Sequence, residues 1–401
     1  MQTAQYRLAP HARAWDAVPA DALAGAQLVL AFGPSRDDPR GMPDAEWFAA
    51  MAERWPDAAR VYCSTAGQIA GEELLDDQVV VTAVRFAHTA VRAVAAPLVA
   101  GDNGMCVGAA LARQLPYAGL RHVFVFGRGV QLNGGALARG LADAMPEGVQ
   151  VSGALAGDDT RIQYTVVALN GAPQGDEGAV AVGFYGDRLR VGVGAVGGWE
   201  TFGPDRMVTR SEREAVGSLV CELDGEPALA LYRRYLGPLA AELPSAGLLF
   251  PLALRTRAGD TGLVRMVMGI DEAAGGVRLA GDVPEGMYVR LMKASPERLI
   301  DAAARAVDLA AETAARDGGS GDSSSHDGDH DGADTLAVVV SCAGRRWVLG
   351  QRTEEELEAV RDALGPRTCV AGLYSYGELA PAGAGCELHN QTMTLTTFRE
   401  H

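Results

Sequence analysis

Strand-length apolar runs alternate with helical periodicities along this chain, and the order of the two repeats. Residues 28–32 read as a strand, after which Trp47, Met51 and Trp55 fall on one face of a helix. A second strand ends in Cys63-Ser64-Thr65-Ala66-Gly67, and residues 79–84 form a third. The same succession recurs at 123–126, a helix aligning Leu137, Leu141 and Met145, a strand ending in Ser152-Gly153-Ala154-Leu155-Ala156-Gly157, and 164–169. It recurs again at 336–341, a helix carrying Leu357, Val360 and Leu364, a strand Val370-Ala371-Gly372-Leu373-Tyr374, and 395–398. Thr353 and Glu356 have capping-box spacing at the start of that last helix. The pattern predicts an α/β fold of mixed β-sheets flanked by helices, with a layered αββα arrangement as one form of it. The building block is a repeated strand-helix-strand-loop-strand unit, set in two domains.

Between the first two units, Val107, Leu111 and Leu115 mark a core helix, and residues 180–185 and 188–193 flank Gly186-Asp187 as a hairpin would. A long helix begins at Ser295-Pro296, with serine as cap and proline at the first helical position. The expected domains are 25–220 and 221–398. Residues 317–334, rich in Gly, Ser, Asp and His, contain no apolar side chain before Ala333, so they are expected to be a disordered acidic insertion within the second domain. Part of this stretch imitates a calcium loop, but Val338 stands where a bidentate glutamate is required.

The chain has 401 residues, 48% of them hydrophobic, and a formal net charge of −16. That length exceeds what one compact core usually holds, in keeping with two domains. So acidic a chain repels a nucleic-acid backbone and an anionic membrane, which leaves a small molecule or another protein as partner. The N-terminal Met1-Gln2-Thr3-Ala4-Gln5-Tyr6 lacks a basic segment followed by a signal-length apolar stretch. No apolar run is long enough to cross a bilayer, so the expected location is cytoplasmic. Six cysteines without a C-x-x-C pair point to reduced thiols rather than a zinc ribbon or disulfide scaffold.

Gly192-Val193-Gly194-Ala195-Val196-Gly197 has the dinucleotide glycine spacing, but the residues after it form no helix to hold a pyrophosphate. Cys63 and Ser64 sit at a strand end where a hydrolase places a nucleophile, yet no G-x-S-x-G elbow or identifiable base accompanies them. Small-residue loops at 63–67, 153–158 and 374–378 fall at corresponding strand ends. Such loops either let a ligand approach, their N–H groups binding a carboxylate or phosphate, or serve as ordinary tight connections. His389 with Asn390, Gln391 and Thr392 suits a ligand contact or a buried polar network equally. Trp199 suits a core plug better than a stacking platform, and Arg345 can hold a carboxylate or cap a helix.

The strings Tyr374-Ser375-Tyr376-Gly377-Glu378 and Leu388-His389-Asn390-Gln391-Thr392-Met393 are dense in polar side chains beside aromatics. With Tyr62-Cys63-Ser64-Thr65-Ala66-Gly67, Gly197-Gly198-Trp199 and Leu223-Asp224-Gly225-Glu226-Pro227-Ala228, they make the chain resemble the FIST proteins over about 27–398. The resemblance implies tandem FIST N and FIST C sensory domains, a small-molecule ligand with amino acids as the proposed class, output through a separate signalling protein, and neither catalysis nor a cofactor. The residues expected at the ligand are Cys63, Ser64, Thr65 and Gly67 of the first loop, Gly153, Gly157 and Asp158 of the second, and Tyr376, Gly377 and Glu378 of the third. Trp199, Arg345, His389, Asn390 and Gln391 complete the set. Arg345 and the loop amides would receive a ligand carboxylate, and Asp158 or Glu378 its ammonium. Two alternatives accompany this picture. One is a haem-binding nitric-oxide sensor that regulates a histidine kinase, with His389, His88 or His122 as axial ligand. The other is a hydrolase or transferase using Cys63.

Overall fold

The computed structural model describes residues 1–401 except 36–37, 39–40, 99–100, 103, 174–176, 318–334 and 384. The expected acidic insertion, with its imitation calcium loop, therefore lies outside the described residues from 318 onward.

The chain begins with β1 (Gln2–Leu8), β2 (Leu28–Gly33), α1 (Ala45–Arg54), β3 (Ala59–Ser64), the short β4 (Gln68–Ala70) and β5 (Glu73–Leu75), and β6 (Val79–Arg85). A second run follows: β7 (Ala90–Pro97), α2 (Met105–Gln114), β8 (Leu120–Gly127), α3 (Gly134–Ala142), β9 (Gln150–Leu155), β10 (Val167–Leu169) and β11 (Glu177–Tyr185). After β12 (Leu189–Val196) come β13 (Glu200–Arg213), β14 (Gly217–Leu223), β15 (Glu226–Pro227), α4 (Ala228–Leu236), β16 (Leu252–Thr256), β17 (Gly259–Arg265), β18 (Val267–Asp271), β19 (Gly276–Ala280) and β20 (Tyr288–Lys293). The last run is α5 (Pro296–Asp317), β21 (Thr335–Cys342), α6 (Ala343–Leu349), α7 (Thr353–Leu364), β22 (Thr368–Ser375), β23 (Gly377–Ala382), β24 (Gly385–His389) and β25 (Met393–Glu400).

Three sheets share one plan. Their strand orders are β1-β6-β2-β3-β10, β7-β11-β8-β9-β23-β24 and β12-β25-β21-β22-β4-β5. In each, a parallel pair (β2/β3, β8/β9, β21/β22) is flanked by antiparallel partners, and the outer partner of the second parallel strand comes from a different unit. The second unit gives β10 to the first sheet, the third gives β23 to the second, and the first gives β4 to the third. This cyclic exchange makes the repeated unit a structural fact. It also shows that the antiparallel sheet of β13–β20 is inserted between β12 and α5 of the third unit. Residues 220 and 221, where the chain is expected to divide, lie within β14, and β4, β5 and β12 complete a sheet built around β21 and β22.

Period-two alternation explains both faces of each wall. Leu28, Leu30 and Phe32 of β2, Phe124 and Phe126 of β8, and Leu336, Val338 and Val340 of β21 all enter one central apolar core. Their alternating neighbours pack outward under helices: Val29 and Ala31 against Trp47 and Met51, Val123 and Val125 with Leu111 and Leu137, Ala337 and Val339 with Ala306 and Leu357. Strands covered on both faces read as continuous apolar runs, which is why the sequence shows them so plainly.

Three expectations are corrected. Residues 164–169 are not the third strand of the second unit: Val167–Leu169 pairs with β3, and β11 takes the expected place beside β8. Gly186-Asp187 reverses the chain without making a hairpin, because both edges of β11 are already occupied by β7 and β8, while β12 crosses to β25. Glu356 forms no capping box with Thr353; its carboxylate is fully buried and bound to Arg345.

The glycine run in β12 serves close packing. A Cβ on Gly194 would lie 1.9 Å from the carbonyl oxygen of Ala306, and one on Gly192 2.1 Å from that of Ala310, so α5 rests directly on the strand backbone. Gly194→Ala is expected to cost about 1–3 kcal/mol or more in urea unfolding, since the obstacle is backbone and cannot swing aside. Gly385→Ala, where an added Cβ meets nothing within 4 Å, should stay within about 0.5 kcal/mol. Equal stabilities for the two variants would remove this account of the glycine run.

Candidate functional site

The three small-residue loops do converge, but their amides bind one another. Gly157 N–H donates to Ser64 O at 2.9 Å, Ala66 N–H to Tyr374 O at 2.8 Å, and Tyr376 N–H to Leu155 O at 3.1 Å. Each donor stands two residues after the acceptor of its own loop, so the bonds form a cyclic set with equivalent positions. A Cβ on Gly157 would come within 2.6 Å of Ala66 N, and Gly67 has φ +134°, which explains those two glycines. Side chains add to the lock: Ser64 Oγ donates to Gly157 O and accepts from Val166 N–H, and Thr65 Oγ1 accepts from Gln68 Nε2. A built Cβ on Gly153 would lie 2.0 Å from Val125 O, so this residue too answers a packing need.

Several charged residues expected at the ligand are fastened elsewhere. Arg345 is fully buried and donates to Glu356 (2.7 and 3.1 Å), Gly197 O (2.6 Å) and Leu299 O (2.8 Å). Ser341 and Tyr374 hydroxyls satisfy the other oxygen of Glu356, making a closed polar joint between α6, α7, β21, β22 and the start of α5. Asp158 accepts three backbone N–H groups, from Ile162, Gln163 and Tyr164 at 2.7–2.8 Å, and the Tyr376 hydroxyl besides. Glu378 is fully buried and held by Ser375 Oγ (2.8 Å) and Thr392 N–H (3.3 Å); burial pushes its carboxyl up to about 8. Trp199 donates its indole N–H to Gln391 O at 2.7 Å and packs with Leu299, Leu349 and Met292.

The alternative chemistries lose their residues. Cys63 has no exposed surface, belongs to the central apolar core, and burial pushes its thiol well up, away from the thiolate a nucleophile needs. His122, lowered to about 3 by burial, contacts Ser152 Oγ at 2.9 Å and packs beside Phe184 and Phe398. His389, also buried, is lowered to about 4 by desolvation and then by Arg265. His88 contacts Arg188 at 3.2 Å. None of the three lines the cleft between the three-walled body and the inserted sheet.

A cleft of about 270 Å³ opens where the three-walled body meets the inserted sheet. Its deep side is apolar and buried, with Leu155, Leu388, Met266 and Leu279; Trp347 and Tyr376 form part of the wall. Glu214 and Arg278, 3.0 Å apart and each about 37% exposed, stand at its rim with the exposed Ile162, Val216 and Met268. Of the residues expected at a ligand, Tyr376 and Asn390 line this cleft, whereas Gly377 pairs within the sheet opposite Leu155. Asn390 is fully buried, and neither Nδ2 nor Oδ1 has a protein hydrogen-bond partner among the described residues. Its neighbours share this condition: His389 Nε2 and Gln391 Oε1 are also unpartnered, although Gln391 Nε2 donates to Leu248 O. A buried polar group without a partner costs about 1–3 kcal/mol, so these three consecutive residues are an energetically expensive stretch of the chain.

Of the cleft lining, the sequence singled out Tyr376 and Asn390 and gave no sign of Glu214, Arg278, Met266 or Met268. Arg278 and Met268 lie on strands of the inserted sheet and Glu214 and Met266 in the connections between its strands, where the sequence shows no distinguishing pattern. Ile162 at the rim offers a further signal: φ is +52°, unusual for a β-branched residue, with its N–H held by Asp158. Ile162→Asn tolerates this backbone and is expected to raise thermal stability by up to about 1 kcal/mol, whereas a drop in melting temperature would show that the isoleucine packing outweighs the strain.

Glu378 generates a pH prediction with a definite sign. Its folded value, about 8, lies above the ordinary 4.5, so its favourable contribution is complete below pH 4.5 and is lost as pH rises through about 8. Glu378→Gln is always neutral. The stability of wild type relative to the variant, followed by denaturant unfolding, is therefore expected to fall across that window; a constant difference would exclude the raised carboxyl.

The model of the FIST N domain matches residues 27–226, and that of the FIST C domain matches residues 228–381. No curated protein matches the chain. Among solved structures, a cyanuric acid hydrolase from A. caulinodans aligns over 78% of this chain and 99% of its own at 11% identity with a TM-score of 0.18, a likeness too slight to carry any argument. FIST domains are non-catalytic modules that sense small molecules or ions in bacterial signal transduction. Among the described residues, no group of three or more His, Cys, Asp or Glu side chains could hold a metal ion, and no helix is long and apolar enough to cross a membrane. The two matched regions span most of the sequence, and the chain belongs to the FIST family.

Proposed function

We propose that this protein senses a free amino acid bound in the cleft between the three-walled body and the inserted sheet, and that a separate partner protein reads the bound state. The observation that carries this reading is the pair of opposite charges at the rim of an otherwise apolar cleft. Glu214 Oε1 accepts from Arg278 Nε, while Arg278 Nη2 reaches Asp271 at 2.7 Å and Nη1 reaches Ile270 O at 3.2 Å. A guanidinium has five N–H hydrogens, so each terminal nitrogen keeps one for a ligand carboxylate, and Glu214 Oε2 can accept from an ammonium. Opposite charges side by side suit a zwitterion better than a simple anion or cation, and the apolar walls suit the stem of a side chain. Arg345, Asp158 and Glu378 act as braces in this scheme. The exposed Ile162, Val216 and Met268 give a partner protein apolar contacts beside the cleft mouth.

The test is calorimetric titration of the full chain with each of the twenty amino acids, after a melting-shift screen. At least one is expected to bind, with affinity falling about tenfold or more in Arg278→Gln and in Glu214→Gln. The reading fails if no amino acid binds or if neither substitution changes affinity in a normally folded protein. Co-purification from the native cell, with and without the amino acid found, tests the partner.

A further inference from the structure

We infer that the cleft selects free amino acids with a large apolar side chain, the class of leucine, methionine and phenylalanine. This rests on the amino-acid reading above and adds the specificity to it. The rim pair Glu214 and Arg278 recognises what every free amino acid shares, and the surface beside it decides the side chain.

The polar groups of that surface are already engaged or covered. Tyr376 turns its hydroxyl to Asp158 and to Asp159 O. The Asn390 amide is fully buried, so it presents neither donor nor acceptor to the cleft. Backbone groups are occupied too: Ala280 N–H donates to Met266 O at 2.9 Å, Glu214 N–H to Gly217 O at 2.9 Å, and Gly281 N–H to Val216 O at 3.4 Å. Among the described residues of the lining, Glu214 and Arg278 alone carry charge.

Carbon, sulfur and aromatic rings remain for the side chain. Arg278 stands opposite Gly269 where β19 pairs with β18, so Met268 adjoins the residue facing the rim cation, and Met266 lies two positions before it. Successive strand residues are about 3.3 Å apart, so a side chain of leucine's or methionine's length reaches these methionines from a zwitterion held at the rim. Leu155, Leu388 and Trp347 face them from the body. Thioether side chains are flexible and polarisable, and they suit aliphatic and aromatic tips alike. A carboxylate, ammonium or carboxamide tip gives up its water there without gaining a partner, which disfavours glutamate, lysine and glutamine. Alanine reaches the rim charges but leaves the apolar surface uncovered.

Isothermal titration of the full chain with leucine, methionine, phenylalanine, alanine, glutamine, glutamate and lysine tests this. At least one of the first three is expected to bind roughly ten- to a hundredfold more tightly than any of the other four. Met268→Ser, a change at an exposed position, is expected to weaken the tightest of the three about two- to tenfold and to leave alanine unchanged. Should that variant fail to fold, the ranking of the seven ligands on wild type decides alone. Alanine, glutamine, glutamate or lysine binding as tightly as the best apolar amino acid would overturn the inference while leaving the amino-acid reading intact, as would unchanged affinity in a folded Met268→Ser. Absence of binding by any amino acid would overturn both.

Discussion

Each of the three main sheets lacks its outer strand until another unit supplies it, and this exchange is the constraint on which the rest of the structure depends. A parallel pair such as β2/β3 leaves the far edge of β3 with unpaired backbone groups, and β10 from the second unit covers it. The same relation joins β9 to β23 and β22 to β4. Because the exchange is cyclic, no unit has a complete sheet by itself. The shared apolar core and the exchanged edges must form together, which couples residues near the start of the chain to those near its end.

The exchange also dictates where the small residues fall. The chain leaves one sheet for the next at a point where three such loops crowd together. Gly67 and Gly157 make those turns, and the Gly157–Ser64, Ala66–Tyr374 and Tyr376–Leu155 bonds satisfy the backbone there. Buried polar side chains complete the joints: Asp158 gathers three amides, and the Arg345–Glu356 pair ties α5, α6 and α7 to the third sheet. Removing one partner of that pair would strand a buried charge, so its role is architectural and costly to alter. Polar residues that look available in the sequence are thus spent on holding the units together.

A cleft lies at the boundary between this body and the sheet inserted into the third unit. Leu155, Tyr376, Leu388 and Asn390 line it from the body, and Met266, Met268, Glu214 and Arg278 line it from the inserted sheet and its turns. Tyr376 connects this cleft to the loop junction: it lines the cleft while its hydroxyl meets Asp158, whose carboxylate holds the strained backbone at Ile162.

The sequence alone determined the α/β class, the strand-helix-strand repeat and the family, because two-sided burial writes strands as continuous apolar runs and helices as single apolar faces. It also drew attention to Asn390, whose amide sits in an unusually polar string. It could not determine which strands pair, since β11 and β12 flank a turn that looks like a hairpin and yet belong to opposite walls. Nor could it separate braces from contacts: Arg345, Asp158 and Glu378 are ionisable side chains of the kind a ligand would need, and only their neighbours in space show that they are already engaged. Glu214, in the turn before β14, and Arg278, on β19, lie 64 residues apart and meet because β14 pairs with β19. Local periodicity reports which face of an element is buried; the partner of a charge or an edge strand is fixed by packing among distant segments, and only the tertiary structure decided it.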